Sequence, residues 1–327
     1  MLVTFQLGGL KMSREAQNKS LESGGVSNNK ILSICKFCKS GNIVKKGFRQ
    51  TQNRGKIQRF ICRDCKRSFC IDDGFFRMRN HEDKITMAVD LYFSNLSSRK
   101  VRNHFRRHLP KNASHVTILD WCRRYTLKIT KYIGTLKPEL SGSIYADETN
   151  IPRGCTPTRK GGDIFWCSVD WDTRYINATL YSPNSQNMGD AVEFMNRIKK
   201  SKVPKYIQTD AGIFYPTAFN KVFGQGKRIY DLRTEHIINN VQKTGRHNVR
   251  IETVFSKIKD RVDDFRGIKA LWSAPILMQG IILQHNFIEA HTTTGKVPCE
   301  LARIKLDVGI NRWLGLIRMS AIMPKGI

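Results

Sequence analysis

Two Cys-x-x-Cys pairs, Cys35/Cys38 and Cys62/Cys65, constrain this chain more tightly than any other feature. Each pair presents two sulfurs from one tight turn, and four thiolates at about 2.3 Å make a tetrahedral zinc site. The 23 residues between the pairs, with Gly41, Gly47, Thr51–Gly55 and the run Ile57–Ile61, read as β-hairpins. Residues 31–75 are therefore predicted to be a zinc ribbon. So short a module has too little core to hold itself together, and metal binding supplies on the order of 10 kcal/mol. Cys70 is expected to pack as a small apolar residue just outside the metal site. Cys122, Cys155, Cys167 and Cys299 have no partner spacing and are expected to be packing thiols. The segment from Met1 to Lys11 lacks a basic start, and Gln6 and two glycines break its apolar stretch. It is a poor export signal, so nine cysteines point to thiols and metal ligands rather than disulfides.

The net charge is +29, and it is uneven. Residues 31–137 hold 25 Lys+Arg against 7 Asp+Glu. A balance of this kind concentrates a chain near phosphate backbones. The 40% apolar content and 17 Phe exclude a wholly disordered basic tail. No run approaches the roughly 18–20 apolar residues of a membrane span, so no membrane association is expected. An intracellular, cytoplasmic protein associated with the nucleoid fits these features.

Along the chain, residues 1–30 read as a flexible leader, with Met12 as an alternative start. Residues 80–137 show helical periodicity. Ile85, Ala88, Val89, Tyr92 and Phe93 make one apolar face, and Val101 and Phe105 make a second. Ser114 caps a third helix carrying Ile118, Trp121, Cys122 and Tyr125. Three helices with basic second and third members suggest a helix-turn-helix, with His115, Thr117 and Asp120 facing a DNA major groove. Lys45, Lys46 and Arg49 in the ribbon, and Arg99, Arg102 and Arg106 in the second helix, are candidate DNA contacts. Pro138 and Ser141–Gly142 read as a linker. Beyond it, Ser143–Asp147, Ile164–Asp170 and Tyr175–Tyr181 are β-rich. Residues 141–305 form the predicted α/β core, and 306–327 a C-terminal tail.

Three acids stand out in the second half. Asp147 and Asp210 each end a strand-like run, whereas Glu252 sits on a helix beside the stripe Ile251, Val254, Phe255, Ile258 and Val262. Glu148 points to the opposite side if the strand continues, so only one of Asp147 and Glu148 is expected to join a shared site. Two strand-end aspartates and a helix glutamate suit two Mg²⁺ or Mn²⁺ ions about 3.5–4 Å apart, and place the three carboxyl groups within about 4–8 Å of one another. Lys259 and Arg261 on the same helix could hold DNA phosphate. Trp166, Trp171 and Trp272 read as core or edge packing, and His236 and His247 as surface histidines. Ile276–Leu283 is expected to be a buried helix or a subunit contact, not a membrane anchor.

The ordered set resembles the DDE transposases of bacterial and archaeal insertion sequences over roughly residues 33–303. The motifs that carry the resemblance are Tyr-Ala-Asp147-Glu-Thr, Gln-Thr-Asp210-Ala-Gly and Asn248-Val-Arg-Ile-Glu252. Phe165 to Asp170, Asp190 to Met195, Lys259-x-Arg261 and His291 to Leu301 add local matches. The resemblance implies an RNase H-like mixed sheet flanked by helices, preceded by the zinc ribbon and an all-α helix-turn-helix module. It further implies that Asp147, Asp210 and Glu252 are catalytic metal ligands. The implied activity is binding of terminal inverted repeats, strand cleavage and strand transfer, by a homodimer or larger synaptic complex on element ends and target DNA. The alternative is a catalytically silent DNA-binding regulator derived from such an enzyme. A ribosomal-type RNA-binding protein would give no reason for acids at strand ends.

Overall fold

A computed structural model describes residues 34–52, 54–109, 112–154, 163–183, 187–224, 234–239, 249–264 and 267–322. The predicted leader, Cys155 and His247 lie outside the described residues. The chain forms two compact units, residues 34–51 with 55–71 in one and residues 52, 54 and 72–322 in the other.

In the first unit, strands β1 (Ile43–Thr51), β2 (Gly55–Cys62) and β3 (Ser68–Phe69) pair antiparallel in that order. The β1–β2 register slips between Lys45 and Phe48. Gly47 stands inside the slip at φ 68°, a conformation that disfavours side chains. The interior consists of little more than Cys35, Cys62 and Phe69, with Ile43, Phe60 and Ile71 against them.

The second unit opens with α1 (Glu82–Phe93), α2 (Ser98–His108) and α3 (His115–Ile133). Ser97 caps α2 and Ser114 caps α3, each accepting a hydrogen bond from a backbone N–H three residues on. Only Val101 and Phe105 of α2 are buried, so its remaining surface carries the basic residues. A five-stranded mixed sheet follows: β4 (Ser143–Ile151), β5 (Asp163–Asp170), β6 (Ile176–Ser182), β7 (Tyr206–Thr209) and β8 (Glu235–Ile238). Its order is β6-β5-β4-β7-β8, with β4, β5 and β6 antiparallel and β7 and β8 parallel to β4.

Helices cover both faces. On one, α4 (Met188–Ser201) and α5 (Phe214–Phe219) pack over Ile144, Ala146 and Trp166. On the other lie α6 (Val249–Asp264) and α7 (Ala274–Leu283), the latter running into a π-helical turn at Gln284–Ile288. The short α8 (Pro298–Leu301) and α9 (Arg312–Ile322) complete this side. The α6 stripe Ile251, Val254, Phe255, Ile258 and Val262 is buried there in one apolar cluster with Phe165 and Cys167 of the sheet. Residues of α1, α2 and α3 belong to the same cluster, so the three helices share a core with the sheet.

The segment predicted as a linker is tied down. The buried Asp170 carboxylate accepts from Ser141 Oγ, Gly142 N, Thr173 N and Thr173 Oγ1 at 2.8–3.1 Å. Ile276–Leu283 falls in α7, whose apolar residues pack inside the unit. Among the described residues, no helix is long and apolar enough to cross a membrane.

Candidate active site

β4 outlasts its neighbour. It pairs with β7 only through Ser143, Ile144 and Tyr145, opposite Tyr206, Ile207 and Gln208. Continuing that register would set Asp147 against Asp210, which lies one residue past the end of β7. Among the described residues, the edge of β4 beyond Tyr145 has no strand beside it on the β7 side, and the acids gather there.

Ligand-type oxygens of Asp147, Glu148 and Asp210 lie within 4.8 Å of one another. This corrects the expectation that only one of Asp147 and Glu148 could join. The two do leave the strand on opposite faces, as their register partners Cys167 and Trp166 belong to opposite apolar clusters. Among the described residues no strand lies beside them on the β7 side, and both carboxylates nevertheless reach the same gap. Local bonds fix each acid: Asp147 Oδ1 accepts from Glu148 N at 2.8 Å, and Asp210 Oδ1 accepts from Gly212 N at 2.9 Å. Glu148 Oε2 accepts from the Tyr215 hydroxyl. A Cβ on Gly212 would stand 2.9 Å from Asp210 Oδ1 and 3.2 Å from the Tyr215 ring, so a side chain there would push on the Asp210 carboxylate.

Glu252 is exposed near the start of α6 and is not one of the three tightly grouped acids. Its charge still reaches Asp147. Burial first, and then the charges of Glu148, Asp210 and Glu252, push the Asp147 carboxyl up to about 7, against a lowering hydrogen bond from the Glu148 backbone. Burial and the neighbouring carboxylates hold the Tyr215 hydroxyl well above its ordinary range, so it stays a donor. Buried acids elsewhere are neutralised or saturated: Asp163 pairs with Arg153, and Asp170 takes four hydrogen bonds. Crowded oxygen donors of this kind have the chemistry of a hard divalent-metal site. The four Sγ atoms of Cys35, Cys38, Cys62 and Cys65 likewise lie within 4.8 Å, with two S–S separations of 3.5 Å. Four thiolates around zinc at about 2.3 Å sit about 3.8 Å apart, so this set fits as well. Burial would raise the Cys35 thiol, but N–H groups of Cys38 and Phe37, with the side chains of Cys65 and Cys38, draw it down to about 6.

The basic candidates divide. Lys45, Lys46 and Arg49 are exposed on β1, Arg99 and Arg106 on α2, and Lys259 on α6, while Arg102, His115 and Thr117 are half-buried. Arg261 is 1% exposed, stacks its guanidinium 4.5 Å from the Tyr92 ring and donates to the Leu96 carbonyl. It joins α6 to α1 and cannot meet DNA, which corrects the sequence expectation. A cleft of about 530 Å³ is lined by Arg99, Lys100, His115, Arg123 and Lys269. Trp272 is 65% exposed with the Arg123 guanidinium 4.5 Å from its ring, whereas Trp166 is buried as expected. His236 is half-buried, bonded to Thr209 Oγ1 and stacked on Phe219. Cys122, Cys167 and Cys299 are buried.

Sequence reasoning missed Glu148 and Tyr215. The available signal was length: the run Tyr206–Thr209 is too short to flank all of β4, and Tyr215 follows Asp210 by five residues, in the first turn of α5.

Residues 161–291 match the family DDE_Tnp_IS240, a DDE domain. The match takes in Asp210 and Glu252, and Asp147 lies ahead of it. Among solved structures, the chain is similar to the HTLV-2 integrase catalytic core domain in complex with magnesium, in a dimeric form. The two are 13% identical, and the match covers 52% of this chain and 99% of that one at a TM-score of 0.33. No curated protein matches the chain.

Proposed function

We propose, from the premise that this chain carries a DDE domain of the transposase type, that it cleaves and joins DNA strands at the ends of an inserted element. The observation that carries the reading is the meeting of Asp147 and Asp210, 63 residues apart in sequence, beside the open edge of β4. The strand order β6-β5-β4-β7-β8, three strands antiparallel and two parallel, supports an RNase H-like core. Asp147, Asp210 and Glu252 would hold Mg²⁺ or Mn²⁺, which supplies activation of the attacking oxygen and neutralisation of the leaving one.

The chain's own part is positioning. The reaction hydrolyses a phosphodiester to leave a 3′-hydroxyl, and that hydroxyl then attacks a target phosphodiester in line. β4 and the turn after β7 fix the two aspartates, and α6 presents Glu252 on its exposed flank with Lys259 two turns further on. Lys259 would steady a phosphate near Glu252 on the same helix. The cationic cleft between α2, α3 and the loop before α7 is placed to hold duplex backbone. In the first unit, Cys35, Cys38, Cys62 and Cys65 would hold a structural zinc, leaving Lys45, Lys46 and Arg49 free to contact the terminal repeats.

The test uses the full chain with linear DNA ending in the repeats of its element and Mg²⁺ or Mn²⁺. Asp147→Ala, Asp210→Ala and Glu252→Ala are each expected to abolish nicking and joining while the gel shift persists. Wild-type nicking in one variant removes that residue from the site. A wild-type chain that shifts repeat DNA but never nicks it is a regulator instead.

A further inference from the structure

Trp272 is the most exposed tryptophan of the chain. It stands 65% exposed beside an exposed Leu271, whereas Trp121, Trp166 and Trp313 are buried. Ala270 and Ser273, on either side of this pair, both line the cleft of about 530 Å³. The ring is backed by a fixed group. Arg123 of α3 sets its guanidinium 4.5 Å from the ring centroid, and Arg123 Nε donates to Oγ of the buried Ser273 at 2.8 Å. A cation held against one face of an indole leaves the other as a flat apolar surface, already ordered for a second ring. The cleft beside it favours an anion. Among its described lining residues the one acid is Asp264, which faces Lys100 at 3.7 Å and Arg261 at 4.0 Å. Arg99, Arg123 and Lys269 add positive charge that no further lining acid offsets. A second protein chain would account for the apolar pair but not for the charge next to it.

We propose that this cleft takes an unpaired DNA strand, with one nucleobase stacked on Trp272 and the phosphates along Arg99, Arg123 and Lys269. The proposal deepens the reading of the cleft as a DNA site and rests on it. A flat ring and a phosphate on one strand match both features at once. Paired bases keep their faces stacked on one another and offer only their edges, so the indole can use a base only once it has left the duplex.

The test is fluorescence anisotropy of the full chain on two labelled probes, an oligothymidylate of about 15 nucleotides and a blunt duplex of the same length. Trp272→Ala is expected to weaken oligothymidylate binding at least about fivefold, as for loss of a stacked base, and to leave duplex affinity unchanged. Trp272→Phe should keep most of the binding, because a phenyl ring still stacks. Neither variant should lower the melting temperature, since the ring is exposed. Lys269→Ala should weaken both probes, as a phosphate contact does. An oligothymidylate carrying 5-iodouracil, irradiated in the complex, is expected to crosslink to Trp272. Wild-type oligothymidylate affinity in Trp272→Ala overturns the proposal, and so does an equal loss on both probes. A changed oligomeric state in Trp272→Ala with both affinities intact also overturns it, in favour of a contact with a second copy of the chain. If Arg99→Ala and Lys269→Ala alter neither probe, the cleft is not a DNA site and both readings of it fall. These measurements need neither metal nor cleavage, so a failure of the acids to nick DNA leaves their outcome readable.

Discussion

Asp147 is under opposing demands, because the position that lets it act also raises the free energy of its charged form. Its folded carboxyl is pushed up to about 7 by burial and by the charges of Glu148, Asp210 and Glu252, against an ordinary value of 3.8. Between those two values the folded chain holds a proton that the unfolded chain has released. Stability from this group is therefore fully present below about pH 4 and is lost as pH rises through about 7. Asp147→Asn removes that loss, so in metal-free protein it should melt higher than wild type at pH 8. The gap should close towards pH 4, as thermal unfolding across pH would show. Asp170 is the opposite case, a buried acid whose four hydrogen bonds hold Ser141, Gly142 and Thr173. Asp170→Ala should cost on the order of 3 kcal/mol in urea unfolding, because it strands several buried donors. Sequence pattern alone points to Asp147 and Asp210, since each ends a strand-like run. The alternation of strand faces does hold for Glu148, but it does not show that both side chains reach one gap beside β4, where among the described residues no strand flanks them.

At the level of elements, the sequence shows the helices clearly but not what they touch. Ser97 and Ser114 mark helix starts, and the α6 stripe marks its buried face, all from local chemistry. The destination of Arg261 could not be read that way. It lies one residue before Val262 of the stripe and swings inward onto Tyr92, a contact made across 169 residues of chain. Arg261→Ala should therefore lower stability, by about 2 kcal/mol for a desolvated cation–π pair. It should leave the repeat-DNA affinity of the folded protein unchanged, whereas Lys259→Ala should weaken DNA binding without a change in melting. Gly280 in α7 is a second long-range contact. A Cβ there would lie 2.0 Å from Phe93 Cζ, and Phe93 is itself stacked on Trp313 at 5.6 Å. Gly→Ala inside a helix is ordinarily stabilising by up to about 1 kcal/mol. Here Gly280→Ala should instead destabilise by about 1–3 kcal/mol through overpacking of α7 against α1, measurable by chemical denaturation.

Across the whole molecule, two units depend on different forces. Residues 72–322 bury apolar residues on both faces of a sheet, whereas the first unit has an interior of a few side chains around four sulfurs. Stripping a thiolate-bound metal with a chelator should melt residues 34–71 while the larger unit keeps its unfolding transition, which amide spectra would resolve. The paired cysteines made the first unit legible in sequence. The sharing of one core by α1–α3 and the sheet was not, because Pro138 and Ser141–Gly142 look like a linker until Asp170 is seen holding Ser141 and Gly142. The account as a whole depends on acids remote in sequence gripping a divalent ion beside β4. Crystals grown with Mn²⁺ test it most directly, through anomalous scattering that locates the ion. The account predicts a peak bound by Asp147 and Asp210, with Glu252 among its ligands. A map with Mn²⁺ bound only elsewhere, and those three carboxylates without it, would contradict the account.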